Sequence, residues 1–179
     1  VSSPLAASAG QARLFGTALH RLLHELAAQP VTVRDAVLER RLAGWPGLDE
    51  ASRTELTRQV SAVLELPELA PAFAPGSRAE QPIVGRLGGL VIAGQIDRFA
   101  ITDAAIYLVD FKSNRLPPAS PETAPVAYLR QLAAYAALLQ ALYPGRAVRA
   151  GLVWTAVPTL MVIPETLLRA HLPGGRDAA

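Results

Sequence analysis

"YLVDFKSNR", residues 107–115, decides how this chain is read. It is a short apolar, β-forming run interrupted by Asp110 and Lys112 two positions apart. On a strand those two side chains project from one face, while Val109 and Phe111 project from the other. Lys112 is the one lysine among 17 Lys and Arg residues. A position that wanted only a positive charge would therefore carry lysine about one time in seventeen on this chain's own usage. An ammonium can give up its proton where a guanidinium cannot, which is a chemical reason to keep lysine there.

Working outward, "LVIAGQIDRFAIT" and "SRAEQPIVGRL" precede this run and share its short, β-branched character. Breaks at "GG" and "TDA" separate the three, so they are expected to form consecutive antiparallel strands. Asp97 then comes beside Asp110 on the same face. Desolvating two carboxylates and an ammonium costs several kcal/mol each unless something compensates. A divalent cation compensates, because carboxylates are hard oxygen ligands suited to Mg²⁺ or Mn²⁺. Carboxylate crowding alone would make removal of Asp110 stabilising in metal-free buffer. The plainer alternative is a partly solvated ion pair of Lys112 with Asp97 or Asp110 at a strand end.

The remaining elements follow from periodicity. "RLFGTALHRLLHELAAQ" places Leu14, Leu19, Leu22, Leu23 and Leu26 at helical spacing. "TVRDAVLERRLAGWPG" is a second helix with Thr32 as its cap, and "DEASRTELTRQVSAVLEL" a third with acids at its start. "NRLPPASPETAP" carries four prolines and is a loop. "VAYLRQLAAYAALLQALY" is a helix ended by Pro144 and Gly145, followed by strands "AVRAGLVWTA" and "TLMVIP" and a closing helix "ETLLRAHL". The fold class expected is α/β or α+β, a mixed sheet flanked by helices with an N-terminal helical part. Residues 1–12 read as linker, 13–172 as one domain and 173–179 as a tail.

Composition bounds the function. The chain is 51% hydrophobic over 179 residues, enough for a core-bearing domain. A formal charge of +2 does not by itself announce a nucleic-acid binder. Without cysteine there is no disulfide, thiolate metal site, iron–sulfur cluster or thiol nucleophile. No segment approaches a membrane span or a signal peptide, so a soluble, cytoplasmic domain without membrane contact is expected. The chain opens at Val1, as a piece cut from a longer protein would. A P-loop cannot occur, since the one lysine follows Phe111 and not a glycine, so any ATP-driven motor lies elsewhere.

"GTALH", "GQIDR", "VDFKSNR" and "YLRQLAAYAALL", in that order and spacing, resemble the nuclease domain of the PD-(D/E)xK superfamily. The resemblance runs from about Phe15 to Leu160 and is closest to the C-terminal nuclease domain of AddA and RecB helicase–nuclease subunits. It implies a restriction-endonuclease-like fold and Mg²⁺-dependent hydrolysis of DNA, with Mn²⁺ able to substitute. It implies His20, Asp97, Asp110 and the backbone carbonyl of Phe111 as metal ligands, and Lys112 as the catalytic lysine. Gln131 and Tyr135, one helical turn apart, are implied close to the site, and Glu80 stands where the family often has an acid before the first core strand. Ile96 replaces the proline of the superfamily's name, as that branch commonly shows. The missing cysteines favour AddA over AddB. Implied partners are single-stranded DNA, a helicase domain of the same parent chain and an AddB-like second subunit, in a bacterial, nucleoid-associated setting of double-strand break repair and recombination. Arg98, Arg115 and Arg130 flank the motifs as candidates for phosphate contact. The competing readings are an inactive nuclease fold that binds DNA or docks a partner, and a small-molecule metallohydrolase with a closed apolar pocket.

Overall fold

The computed structural model describes residues 4–113 and 116–174, and the chain divides into two compact units, Val1–Leu66 and Pro67–Ala179. The first unit is helical: α1 (Pro4–Ala27), α2 (Arg34–Ala43) and α3 (Glu50–Leu64). Helix α1 begins well before the Leu-rich stripe and takes in residues 4–12, read above as linker. That segment is rich in alanine, the strongest helix former, and Pro4 sits in the first turn where its missing N–H costs nothing. Leu19, Leu22, Leu23 and Leu26 are fully buried, as their spacing requires. Thr32 does not cap α2; a 3₁₀ turn over Val31–Val33 feeds directly into it. Asp49 caps α3, its carboxylate accepting the Ser52 amide at 2.8 Å.

The second unit opens with a 3₁₀ segment (Pro67–Phe73) and holds one five-stranded sheet in the order β1-β2-β3-β4-β5. The strands are β1 (Arg78–Leu87), β2 (Leu90–Ile101), β3 (Ile106–Lys112), β4 (Val148–Trp154) and β5 (Thr159–Ile163). Gly88 and Gly89, both at positive φ, make the tight turn that pairs Leu87 with Leu90. Every pairing is antiparallel except β3 with β4. That parallel pair needs a long crossover, supplied by α4 (Val126–Leu142). A short α5 (Glu165–Ala170) closes the described chain. The mixed sheet with flanking helices is the architecture expected from the strand and helix periods.

Helix α4 covers one sheet face. Leu129, Leu132, Leu138 and Leu139 join Ile83, Ile96, Phe99, Ile106, Leu108, Leu152 and Ile163 in one core cluster. Burying each such side chain contributes about 1.5–3 kcal/mol.

Candidate active site

The β2–β3 ladder stops early. Its last pair is Arg98 with Val109, so Asp97 and Asp110 stand next in register, past the end of the pairing. In place of a ladder bond, Asp97 Oδ2 accepts the backbone N–H of Phe111 at 2.8 Å. The β1–β2 ladder is interrupted at the same level. Ala79 pairs with Arg98 and Gln81 with Ile96, while Glu80 between them faces Asp97 with φ +49°. No other non-glycine residue among the described residues has positive φ. Backbone held there costs about 1–3 kcal/mol and collects at working sites. Glu80, Asp97 and Asp110 therefore form one row across three adjacent strands, with carboxylate oxygens of Glu80 and Asp97 within 4.8 Å of each other. Gln95 Nε2 donates to Glu80 Oε2. Glu80 lies inside β1.

Lys112 ends the row. Asp110 is only 3% exposed, and Lys112 Nζ lies 2.6 Å from its Oδ2. Helix α4 supplies the rest of the lysine's surroundings: Nζ donates to Gln131 Oε1 at 3.3 Å and sits 3.9 Å from the centre of the Tyr128 ring. Gln131 Nε2 in turn donates to Tyr135 Oη at 3.4 Å. One helical turn separates Gln131 from Tyr135, so both face the sheet together. Behind Lys112, the buried Thr155 donates its amide to the Lys112 carbonyl at 3.0 Å. The lysine is thus fixed at its backbone and at its tip.

Of the residues singled out by sequence, Glu80, Asp97, Asp110, Lys112, Gln131 and Tyr135 converge within the sheet unit, and Phe111 is tied to Asp97 through its amide. His20 lies on α1 of the helical unit, half-buried, one turn before the exposed His24. Arg98, a candidate for phosphate contact, is buried on the far face of the sheet. It is 5% exposed, its guanidinium donating to the Ala72 carbonyl (2.9 Å) and Ser77 Oγ (2.6 Å) and stacking 4.5 Å from the Phe73 ring. Alternation along β2 puts it on the face opposite Asp97, where it pins the 3₁₀ segment to the sheet. Arg130 is exposed on α4, and Arg115 lies outside the described residues.

Carboxylates in a row, a lysine at their end and a Gln/Tyr pair on the crossover helix make a site for hard cations and phosphate chemistry. A family model for the PD-(D/E)XK nuclease superfamily matches residues 4–169. The chain belongs to the PD-(D/E)XK nuclease superfamily. Its members use divalent metals, and the oxygen donors of Glu80 and Asp97 fit such an ion. Among solved structures, a candidate exonuclease from Eubacterium rectale is similar at 12% identity and TM-score 0.49, over 82% of this chain and 61% of that one. The protein SSO0001 is similar at 16% identity and TM-score 0.38, over 87% and 80%. The chain thus spans less than two thirds of the first of these. Curated proteins give no match.

Three residues of this candidate site escaped the sequence reading: Tyr128, Thr155 and Gly94. The signal for Gly94 was a glycine inside a strand, which marks a close approach. A Cβ there would lie 2.1 Å from Tyr135 Oη and under 3.0 Å from two of its ring carbons. Gly94→Ala is expected to push Tyr135 off the sheet, destabilise by about 1–3 kcal/mol and slow cutting by disturbing Gln131. Paired with Tyr135→Phe, which removes the closest clashing atom, part of the loss should return. Melting curves and cleavage rates of both proteins check it; a harmless Gly94→Ala would show that the contact positions nothing.

Proposed function

We propose that this domain is a Mg²⁺-dependent deoxyribonuclease of exonuclease type, the cutting part of an ATP-dependent helicase–nuclease that works in double-strand break repair and recombination. One observation carries the nuclease reading: Lys112 Nζ is held between Asp110 Oδ2 and Gln131 Oε1 at the end of a row of three carboxylates. A structural cation needs no such row beside it. The four ordered motifs and the absence of cysteine support the AddA-type assignment. In this reading, single-stranded DNA arrives from a helicase domain of the same parent chain, an AddB-like subunit completes the complex, and the setting is the bacterial cytoplasm.

Glu80, Asp97, Asp110 and the Phe111 carbonyl would hold the metal, with His20 as the further ligand the sequence resemblance implies. When bound, the ion supplies Lewis acidity toward the phosphate and lowers the pKa of neighbouring water. The protein's own part is positional. An ammonium has three N–H donors. Lys112 gives one to Gln131 Oε1 and is ion-paired with Asp110 Oδ2, and in this reading another of its donors meets the attacking water or a phosphate oxygen. There it orients the nucleophile and offsets charge building on the phosphate. Hydrolysis forms one P–O bond from water and breaks the scissile one, the leaving oxygen taking up a proton.

The test is direct: incubate the purified chain with end-labelled single-stranded DNA, with and without Mg²⁺ or Mn²⁺, and record melting curves under the same conditions. Cutting only with metal, and a raised Tm because the ion binds the native state, are expected. Neither cutting nor a Tm shift with either ion would replace this reading with the inactive, docking domain.

A further inference from the structure

Helix α2 separates its charges. Asp35 and Glu39 line a cavity shared with α3, whereas Arg40 and Arg41 line a different one of about 410 Å³. The latter is completed by Arg21 and Glu25 of α1 and by Gly44, Trp45 and Pro46 of the following loop, all within the helical unit. Three guanidinium groups meet one carboxylate there. Glu25 takes the Nε of Arg21 at 3.0 Å and of Arg41 at 2.8 Å, which leaves a net positive wall. Both arginine side chains remain more than half exposed, at 64% and 53%. Trp45 is half-buried, and the Arg21 guanidinium lies over its ring at 5.6 Å from the centroid. The loop holding it is braced by Arg53, which donates to the carbonyls of Ala43, Trp45 and Leu48. An indole on a braced loop beside exposed arginines is a platform for stacking an unpaired base between phosphate contacts.

We infer that this concavity binds single-stranded DNA, with Trp45 stacking one base and Arg21, Arg40 and Arg41 taking the adjoining phosphates. A double-stranded ligand is disfavoured because its bases are not free to stack on the indole. Because the cleavage reaction handles phosphodiesters, this contact rests on the nuclease reading, and it adds a holding site that none of the catalytic residues supplies. The exposed Arg21 is displaced from the ring when a base takes its place.

The chain has two tryptophans, and Trp154 is 1% exposed, so quenching by a macromolecular ligand reports on Trp45. Titrating the full chain with oligo-dT in EDTA should quench that emission, while an abasic oligonucleotide of equal length should not. Trp45→Ala should weaken binding about tenfold, within the range for one stacked base. Arg40→Gln with Arg41→Gln should flatten the slope of log Kobs against log salt by about 1.4, at about 0.7 per phosphate contact on single strands. Both arginines are exposed, so the fold should survive their loss, and Trp45→Phe serves as the gentler aromatic control. Unchanged affinity and salt slope in a double variant whose parent cuts with Mg²⁺ would overturn this contact alone. A parent that neither cuts nor binds would overturn the nuclease reading together with it.

Discussion

Lys112→Arg is expected to keep the fold and lose cleavage by at least about a hundredfold, the low end of what removing one well-placed charge-stabilising donor costs. Every other cation in this chain is arginine, so a merely structural position would accept one. The surroundings of Nζ argue otherwise. It lies 2.6 Å from Asp110 Oδ2, 3.3 Å from Gln131 Oε1 and 3.9 Å from the Tyr128 ring centre, and the side chain is only 13% exposed. A guanidinium is planar and longer, so it would have to push Tyr128 or Gln131 aside and would not present its donors where the ammonium does. The measurement is the single-turnover rate with Mg²⁺ beside a melting curve for each protein. If the arginine variant cuts within a few-fold of the parent, the lone lysine is an accident of composition.

Asp110→Ala should reduce cutting by at least about a hundredfold as well, since it removes one member of the carboxylate row and the partner that aims Lys112. Its effect on stability is the sharper expectation. From sequence, relief of carboxylate crowding would make the variant more stable without metal. The structure reverses the sign. Asp110 is nearly fully buried and paired with Lys112, so its removal leaves a mostly buried ammonium without its nearest countercharge. Breaking a fully buried pair costs about 3–5 kcal/mol, and the partial exposure of Lys112 lowers that. A fall in Tm is expected, with Asp110→Ala/Lys112→Met recovering stability and not activity. A single variant with a raised Tm in EDTA would show that crowding outweighs the ion pair.

What the sequence determined by itself was local. Strands and helices followed from periods of 2 and 3.6, and the mixed sheet followed from a meander, a crossover helix and a further strand pair. Asp110 and Lys112 share a face because alternation along a strand allows nothing else. Gln131 and Tyr135 share one because four residues nearly complete a helical turn.

The tertiary structure decided what depends on register and on contact across elements. Glu80 joins the row only because β1 pairs with β2 so that it opposes Asp97, and its left-handed backbone is invisible in a string of letters. Arg98 is a candidate for phosphate contact in the sequence because it flanks the motif at Asp97. Alternation sends it to the other face, where the Ala72 carbonyl, Ser77 and Phe73, remote in sequence, take it. Tyr128 and Thr155 reach Lys112 from α4 and from just beyond β4, and Gly94 makes room for a ring on another element. Helix and strand periods come from bonds between near neighbours and are written along the chain. The surroundings of a buried charge come from whichever distant elements pack beside it, and only the folded core sets those.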